Sequence, residues 1–199
     1  MFAAEGVACW RGERAVFADL SFRLAPGGAL LLAGRNGAGK TSLLRILAGL
    51  LAPAQGRVTW DGHDTAEDPA AHARRLRWLG HRDAMKPALT VTENLAPYAA
   101  LAGVGAAEIL AALAAVGLAP LARLPARVLS AGQGRRAALA RLALGAAPLW
   151  LLDEPTLGLD TASVDRFGVL LASHRAAGGM VVAATHLPLP LPGAETLSL

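Results

Sequence analysis

Thiol chemistry is nearly absent from this sequence. Cys9 is the only cysteine in 199 residues, which excludes a disulfide framework and any paired-thiolate site for zinc or haem, and fits a reducing compartment. Long apolar runs are missing as well. Hydrophobic residues make up 54% of the chain, yet the longest uncharged stretch, Ala176 to Ala194, carries His186 and prolines at 188, 190 and 192, so it cannot run as a spanning helix. If this protein acts at a membrane, another chain crosses it. The opening residues Met1-Phe2-Ala3-Ala4-Glu5-Gly6 hold neither the basic nor the long apolar segment of a secretion signal, and a cytosolic location is expected. There is no run of five or six like charges, no internal repeat and no low-complexity linker. Lysine is scarce: Lys40 and Lys86 are the only two, while the net charge is +4. A pI near 10.2 fits an arginine bias or attraction to an anionic membrane face, and no nucleic-acid partner is expected.

One of the two lysines stands in a telling place. Gly34-Arg35-Asn36-Gly37-Ala38-Gly39-Lys40-Thr41 follows the apolar run Leu30-Leu31-Leu32-Ala33 and opens a helical pattern at Ser42-Leu43-Leu44. Strand, glycine-rich turn and helix form a phosphate cradle, in which backbone N–H groups turn inward and the helix start adds its positive dipole end. Lys40 then reaches the β- and γ-phosphates, and Thr41 is placed to put its hydroxyl on Mg²⁺. The alternative, a glycine-rich turn with no ligand, does not require the whole G-x-x-x-x-G-K-T pattern in that context. Trp10 lies on a candidate strand upstream, either to stack on an adenine ring or to fill the core.

The length suits one α/β domain, here 1–199, with a smaller lobe attached. Leu20, Phe22 and Leu24 alternate with Ser21 and Arg23, which predicts a half-buried strand, and Arg57-Val58-Thr59-Trp60 before Asp61-Gly62 predicts another that ends in a turn. An antiparallel patch beside a mainly parallel sheet is expected. Residues from about 84 to 128 are rich in alanine and leucine and broken by Pro97, Gly103, Gly105, Gly117, Pro120 and Pro125, the pattern of a small helical lobe. Thr90-Val91-Thr92-Glu93 has capping-box spacing, and Pro97 then marks a kink or a fresh start.

Two further stretches carry chemistry. Leu149-Trp150-Leu151-Leu152-Asp153-Glu154 reads as a buried parallel strand that delivers two acids to the sheet's carboxyl edge. Asp153 would hold Mg²⁺ directly or through water, and Glu154 would act as general base on the attacking water. Val181-Val182-Ala183-Ala184-Thr185-His186 repeats the strand pattern and brings His186 to the same edge, as a structural residue or a ligand. Ser130-Ala131-Gly132-Gln133 has capping-box spacing, but Arg135 and Arg136 come next in the first helical turn, at the positive dipole end. That placement is unfavourable unless an anion lies nearby.

Gly34 to Thr41, Leu129 to Gln133, Leu152-Asp153-Glu154-Pro155, Leu159-Asp160 and Thr185-His186, in that order, resemble the nucleotide-binding subunit of an ABC transporter. The resemblance covers most of the chain, and LSAGQ is its most specific motif. It implies an α/β P-loop NTPase fold, ATP and Mg²⁺ as ligands, and contacts to nucleotide from Gly34 through Ser42. It also implies catalytic roles for Lys40, Glu154 and His186. Each ATP would lie between the phosphate loop of one subunit and Ser130, Gly132 and Gln133 of a second copy in a head-to-tail homodimer. Asp160 would sit in the loop crossing that interface, or simply cap the helix from Thr161. Where most members carry a glutamine that touches Mg²⁺, this chain departs and reads Leu79-Gly80-His81, which makes His81 the metal-site candidate. Cys9 to Arg14 with Phe17, Gly80-His81, Glu93-Asn94-Leu95 and LSAGQ followed by Arg135-Arg136 further resemble the haem-exporter ATP-binding subunits of cytochrome c maturation, the CcmA family. For that family, integral membrane transporter subunits are the implied partners, and the cytoplasmic face of the bacterial inner membrane the implied location. The same engine serving another exporter is the alternative. A non-transport ABC ATPase is a third reading, and it usually brings a coiled-coil insertion or a second module that is not seen here.

Overall fold

Residues 2–24 fold as a hairpin of β1 (Phe2–Arg11), whose residues are mostly buried, and β2 (Arg14–Leu24), whose end alternates between buried and exposed residues. In the computed structural model, which describes residues 1–199, β1 is flanked by β2 and by β4 (Gln55–Trp60), and β4 turns back into the two-residue β5 (His63–Asp64). All these pairs are antiparallel. Asp61 and Gly62 both have positive φ, 49° and 86°, as a two-residue Asp-Gly hairpin loop requires. The expected half-buried strand is present: Leu20 and Leu24 are buried, Phe22 partly so, and Ser21 and Arg23 exposed.

The second sheet is entirely parallel. It contains β3 (Ala29–Ala33), β6 (Leu76–Leu79), β7 (Leu149–Asp153), β8 (Met180–Ala184) and β9 (Glu195–Ser198), in the order β6-β7-β8-β3-β9. Both of its faces are covered, which is why β7 and β8 read as continuous apolar runs instead of alternating. Leu149, Leu151, Met180, Val182, Leu30 and Leu32 face one core, built with Phe2, Val7, Trp60 and helix α1 (Lys40–Leu47). Their neighbours Trp150, Leu152, Val181 and Ala183 face the other, built from four longer helices. A short helix, α2 (Pro69–Arg74), inserts buried His72 under Trp60.

The four are α3 (Val91–Ala102), α4 (Ala106–Ala115), α5 (Ala131–Ala140) and α6 (Thr161–Ala176). Thr90 closes the expected capping box with Glu93, its backbone N–H donating to Glu93 Oε2 at 2.7 Å. Pro97 does not break the chain into two helices. It sits on the exposed side of a continuous α3, so the carbonyl that loses its helical donor stands at the surface. On α6, the His174 ring stacks on Trp150 with 3.8 Å between centroids. No single helix is long and apolar enough to cross a membrane.

Candidate active site

Parallel strands all point the same way, so the loops at their carboxyl ends gather along one edge of the sheet. The phosphate loop extends from β3, Gly80-His81 from β6, Glu154 from β7, and Thr185-His186 from β8. These segments meet on a cavity of about 1490 Å³, whose wall includes Asn36, Gly37, Gly39, Lys40, Thr41, Ser42, His81, Asp153, Glu154 and His186. Gly34, Arg35 and Ala38 do not line it. Lys40 donates its ammonium to the carbonyls of Gly34 at 2.7 Å and Arg35 at 3.2 Å, so these acceptors hold it at the loop. Gly39, with φ of 104°, caps α1. A Cβ there would come within 2.5 Å of Val16, so both the backbone angle and the close approach of β2 demand glycine.

Two side-chain pairs organise the chemistry. Thr41 donates its hydroxyl to Asp153 Oδ2 at 3.0 Å, joining the phosphate loop to the end of β7. Burial pushes the Asp153 carboxyl above its usual range, and the Thr41 bond partly offsets this. His186 Nδ1 pairs with Glu154 Oε1 at 2.9 Å. Glu154 has a φ of 49°, a left-handed conformation that costs an ordinary side chain on the order of 1–3 kcal/mol and survives only where its surroundings enforce it. Its own N–H donates to the Ala184 carbonyl at 2.8 Å. The Arg135 guanidinium holds its carbonyl at 2.6 Å.

Trp10, Ser130, Gly132, Gln133 and Asp160 lie outside the cavity. Trp10 is 47% exposed and neither fills the core nor lines the wall. Its strand neighbour Arg11 takes the wall position, with Nη2 donating to Ser42 Oγ at 3.5 Å, because successive strand residues point to opposite faces. His81 lines the wall and makes no hydrogen bond of its own. Ser130 is exposed and caps α5, accepting from Gln133 N–H at 3.2 Å while Gln133 Oε1 accepts from the Ser130 N–H at 2.8 Å. Gly132 packs against the Gly158 carbonyl. Asp160 caps α6 through the Ser163 N–H at 2.8 Å, and that bond holds its carboxyl below the usual range.

Sequence reasoning missed Arg11 and the internal partners of Arg135 and Arg136. Arg136 donates to the carbonyls of Val116 and Gly117, and Arg135 to five acceptors within the chain. The signal was two arginines at an unfavourable helix end. Their acceptors are remote in sequence and carry no local pattern.

The family model described as ABC transporter matches residues 17–157. A cytochrome c biogenesis ATP-binding export protein CcmA of Rhodospirillum rubrum is 60% identical over 199 residues, covering all of this chain and 85% of the relative. A protein of the same name from Paramagnetospirillum magneticum is 55% identical, covering all of this chain and 93% of its own length. Among solved structures, an ATP-binding subunit of an ABC transporter superposes with a TM-score of 0.84 at 24% identity, over 94% of this chain and 79% of that one. A putative ABC transporter ATP-binding protein from Pyrococcus furiosus gives 0.85 at 22% identity, over all of this chain and 96% of its own. These two bear on the fold alone. The chain therefore belongs to the ABC transporter ATP-binding family, in its cytochrome c biogenesis branch, and is an ATP-hydrolysing subunit of that type.

Proposed function

We propose that this subunit hydrolyses Mg-ATP between two copies of itself and couples that hydrolysis, through integral membrane partners, to haem handling for c-type cytochromes. The observation that carries the reading is the convergence of Lys40, Thr41, Asp153, Glu154 and His186 on one cavity. Lys40 exchanges its two loop carbonyls for the β- and γ-phosphates, and free N–H groups of the loop and of the α1 start orient the chain of phosphates. Thr41 Oγ1 and Asp153 Oδ2 form a pair of oxygen donors 3.0 Å apart, and no cluster of three or more His, Cys, Asp or Glu residues competes as a metal site. One carboxylate and one hydroxyl suit Mg²⁺, which takes its other ligands from water and phosphate, with His81 as a further neighbour. Bound there, the ion would neutralise charge on the phosphates. Glu154 takes the proton of the attacking water while the bond from His186 fixes its carboxylate.

Ser130, Gly132 and Gln133 stand off this cavity, and Ser130 is exposed. We read them as the half-site offered to a second copy, with Asp160 in the loop at that interface. The chain is read as one ATPase domain, residues 84–128 forming its helical lobe. Beyond the phosphate end the cavity continues into a groove lined by Arg74, Arg77, Trp78, Tyr98, Leu101 and Arg141. Leu101 is 87% exposed there, and an apolar, cationic groove suits a membrane partner docking at the inner face of the bacterial membrane. Copurification from detergent-solubilised membranes tests this. Integral membrane chains that carry haem are expected; ribosomes or DNA in their place would overturn the reading.

A further inference from the structure

Arg135 is 4% exposed, and a guanidinium has five N–H donors. All five are used: Nε to the Pro155 carbonyl at 3.2 Å, Nη2 to the carbonyls of Asp153 at 2.9 Å and Glu154 at 2.6 Å, Nη1 to the Gly80 carbonyl at 3.1 Å and to Asp83 Oδ1 at 2.9 Å. One segment it grips holds Glu154 in the left-handed region at φ 49°, and the other leads directly into Ala84 at φ 51°. Past the last β6–β7 partners, Leu79 and Leu152, Arg135 supplies the hydrogen bonds that join residues 80–83 to residues 153–155. A lysine has three donors on a point charge and cannot reproduce this fork.

We infer that Arg135 is a positioning residue for hydrolysis: it holds Glu154 in its left-handed turn and binds that turn to the His81 loop, so that both move with α5 as one unit. This rests on the proposed general-base role of Glu154. Strained backbone at a reacting centre persists only when several contacts define it, and at Glu154 three neighbouring carbonyls answer to one side chain. Because that side chain is rooted in α5, whose first turn begins at Ser130, a displacement of the cap is carried to the carboxylate through a single guanidinium.

Arg135→Lys tests the inference, with Asp83→Ala as a second variant in which only the carboxylate is removed. R135K is expected to bind a fluorescent ATP analogue within about threefold of wild type while kcat at saturating ATP falls by more than about tenfold, since ground-state contacts are kept and alignment is lost. Amide hydrogen exchange should quicken together at Glu154 and Leu157 and at residues 80–84. In the Glu154→Gln background R135K should add no further loss of hydrolysis, because the two act through one carboxylate. A purely structural role lowers Tm but leaves kcat and the coupled exchange unchanged, which overturns the inference. So does an additive loss in the double variant. Wild-type turnover by E154Q alone overturns the general-base reading and this inference with it, whereas an inactive E154Q beside a fully active R135K leaves that reading standing and overturns the positioning role. Should R135K fail to fold, D83A decides: a loss of a few-fold in kcat and faster exchange in both segments support the role, and wild-type values for both overturn it.

Discussion

Lys40 and His72 show how differently two polar side chains are used by one fold. The Lys40 ammonium rests on the carbonyls of Gly34 and Arg35, acceptors that hold a positive charge where phosphate oxygens are expected. Lys40→Ala should lower kcat by at least about 10²-fold and weaken nucleotide binding, because no mobile cation replaces a fixed one in a closed site. Titration with a fluorescent nucleotide beside a phosphate-release assay reads both effects. His72 is 3% exposed; its Nδ1 accepts from Trp60 Nε1–H at 2.9 Å, so Nε2–H donates to the Leu47 carbonyl at 2.9 Å. It must be neutral to do so. Burial holds it below the ordinary histidine range, as it does His174. The unfolded chain therefore takes up these protons first. Their contribution to stability is complete above the unfolded histidine pKa of about 6.5 and is lost as pH falls below it. Melting temperature should drop between about pH 7.5 and pH 5.5. His72→Gln keeps an acceptor and a donor without titrating, so its drop should be smaller; an equal drop assigns the acid sensitivity to His174.

At the scale of the element, periodicity decides which side chains meet the ligand. Trp10 and Arg11 are adjacent on β1 and face opposite ways, and the cavity takes Arg11. Arg11→Ala should raise the Kd for ATP several-fold, while Trp10→Ala should leave it within about twofold, as isothermal titration would show. The strands were legible in the sequence because β7 and β8 are buried on both faces and read as unbroken apolar runs, and β2 because one face is not. The caps at Thr90, Ser130 and Asp160 were legible because each bonds a residue only three positions on. The grip of Arg135 was not, since its partners lie 18 to 55 residues away and are mostly carbonyls, which every residue has. Helix α5 also separates two roles for one serine. Aspartate caps a helix as well as serine does, so Ser130→Asp should fold and bind ATP normally. A carboxylate facing the γ-phosphate of a second subunit would instead be repelled. The variant is expected to bind nucleotide and fail in hydrolysis and ATP-dependent dimerisation; full activity would reduce Ser130 to a helix cap.

For the whole molecule, the test is whether two copies close on ATP. Glu154→Gln keeps the bond geometry to His186 but cannot accept the proton of water, so turnover should fall on the order of 10²- to 10⁴-fold. The undischarged nucleotide should hold a dimer visible by light scattering. A variant that stays monomeric with Mg-ATP counts against the shared site. The order of the parallel sheet has a consequence of another kind. Strand β3, which carries the phosphate loop, is hydrogen-bonded on one side to β8 and on the other to β9, so residues 29–33 wait for residues 180–198 before either edge is paired. During synthesis the cradle's sequence emerges early, yet its supporting strand stays unpaired until residues 180–198 have left the ribosome, the slow, long-range closure typical of parallel sheets. The cradle is thus completed by strands far downstream of it, and a ribosome-arrested chain stopped before residue 180 should retain no ATP.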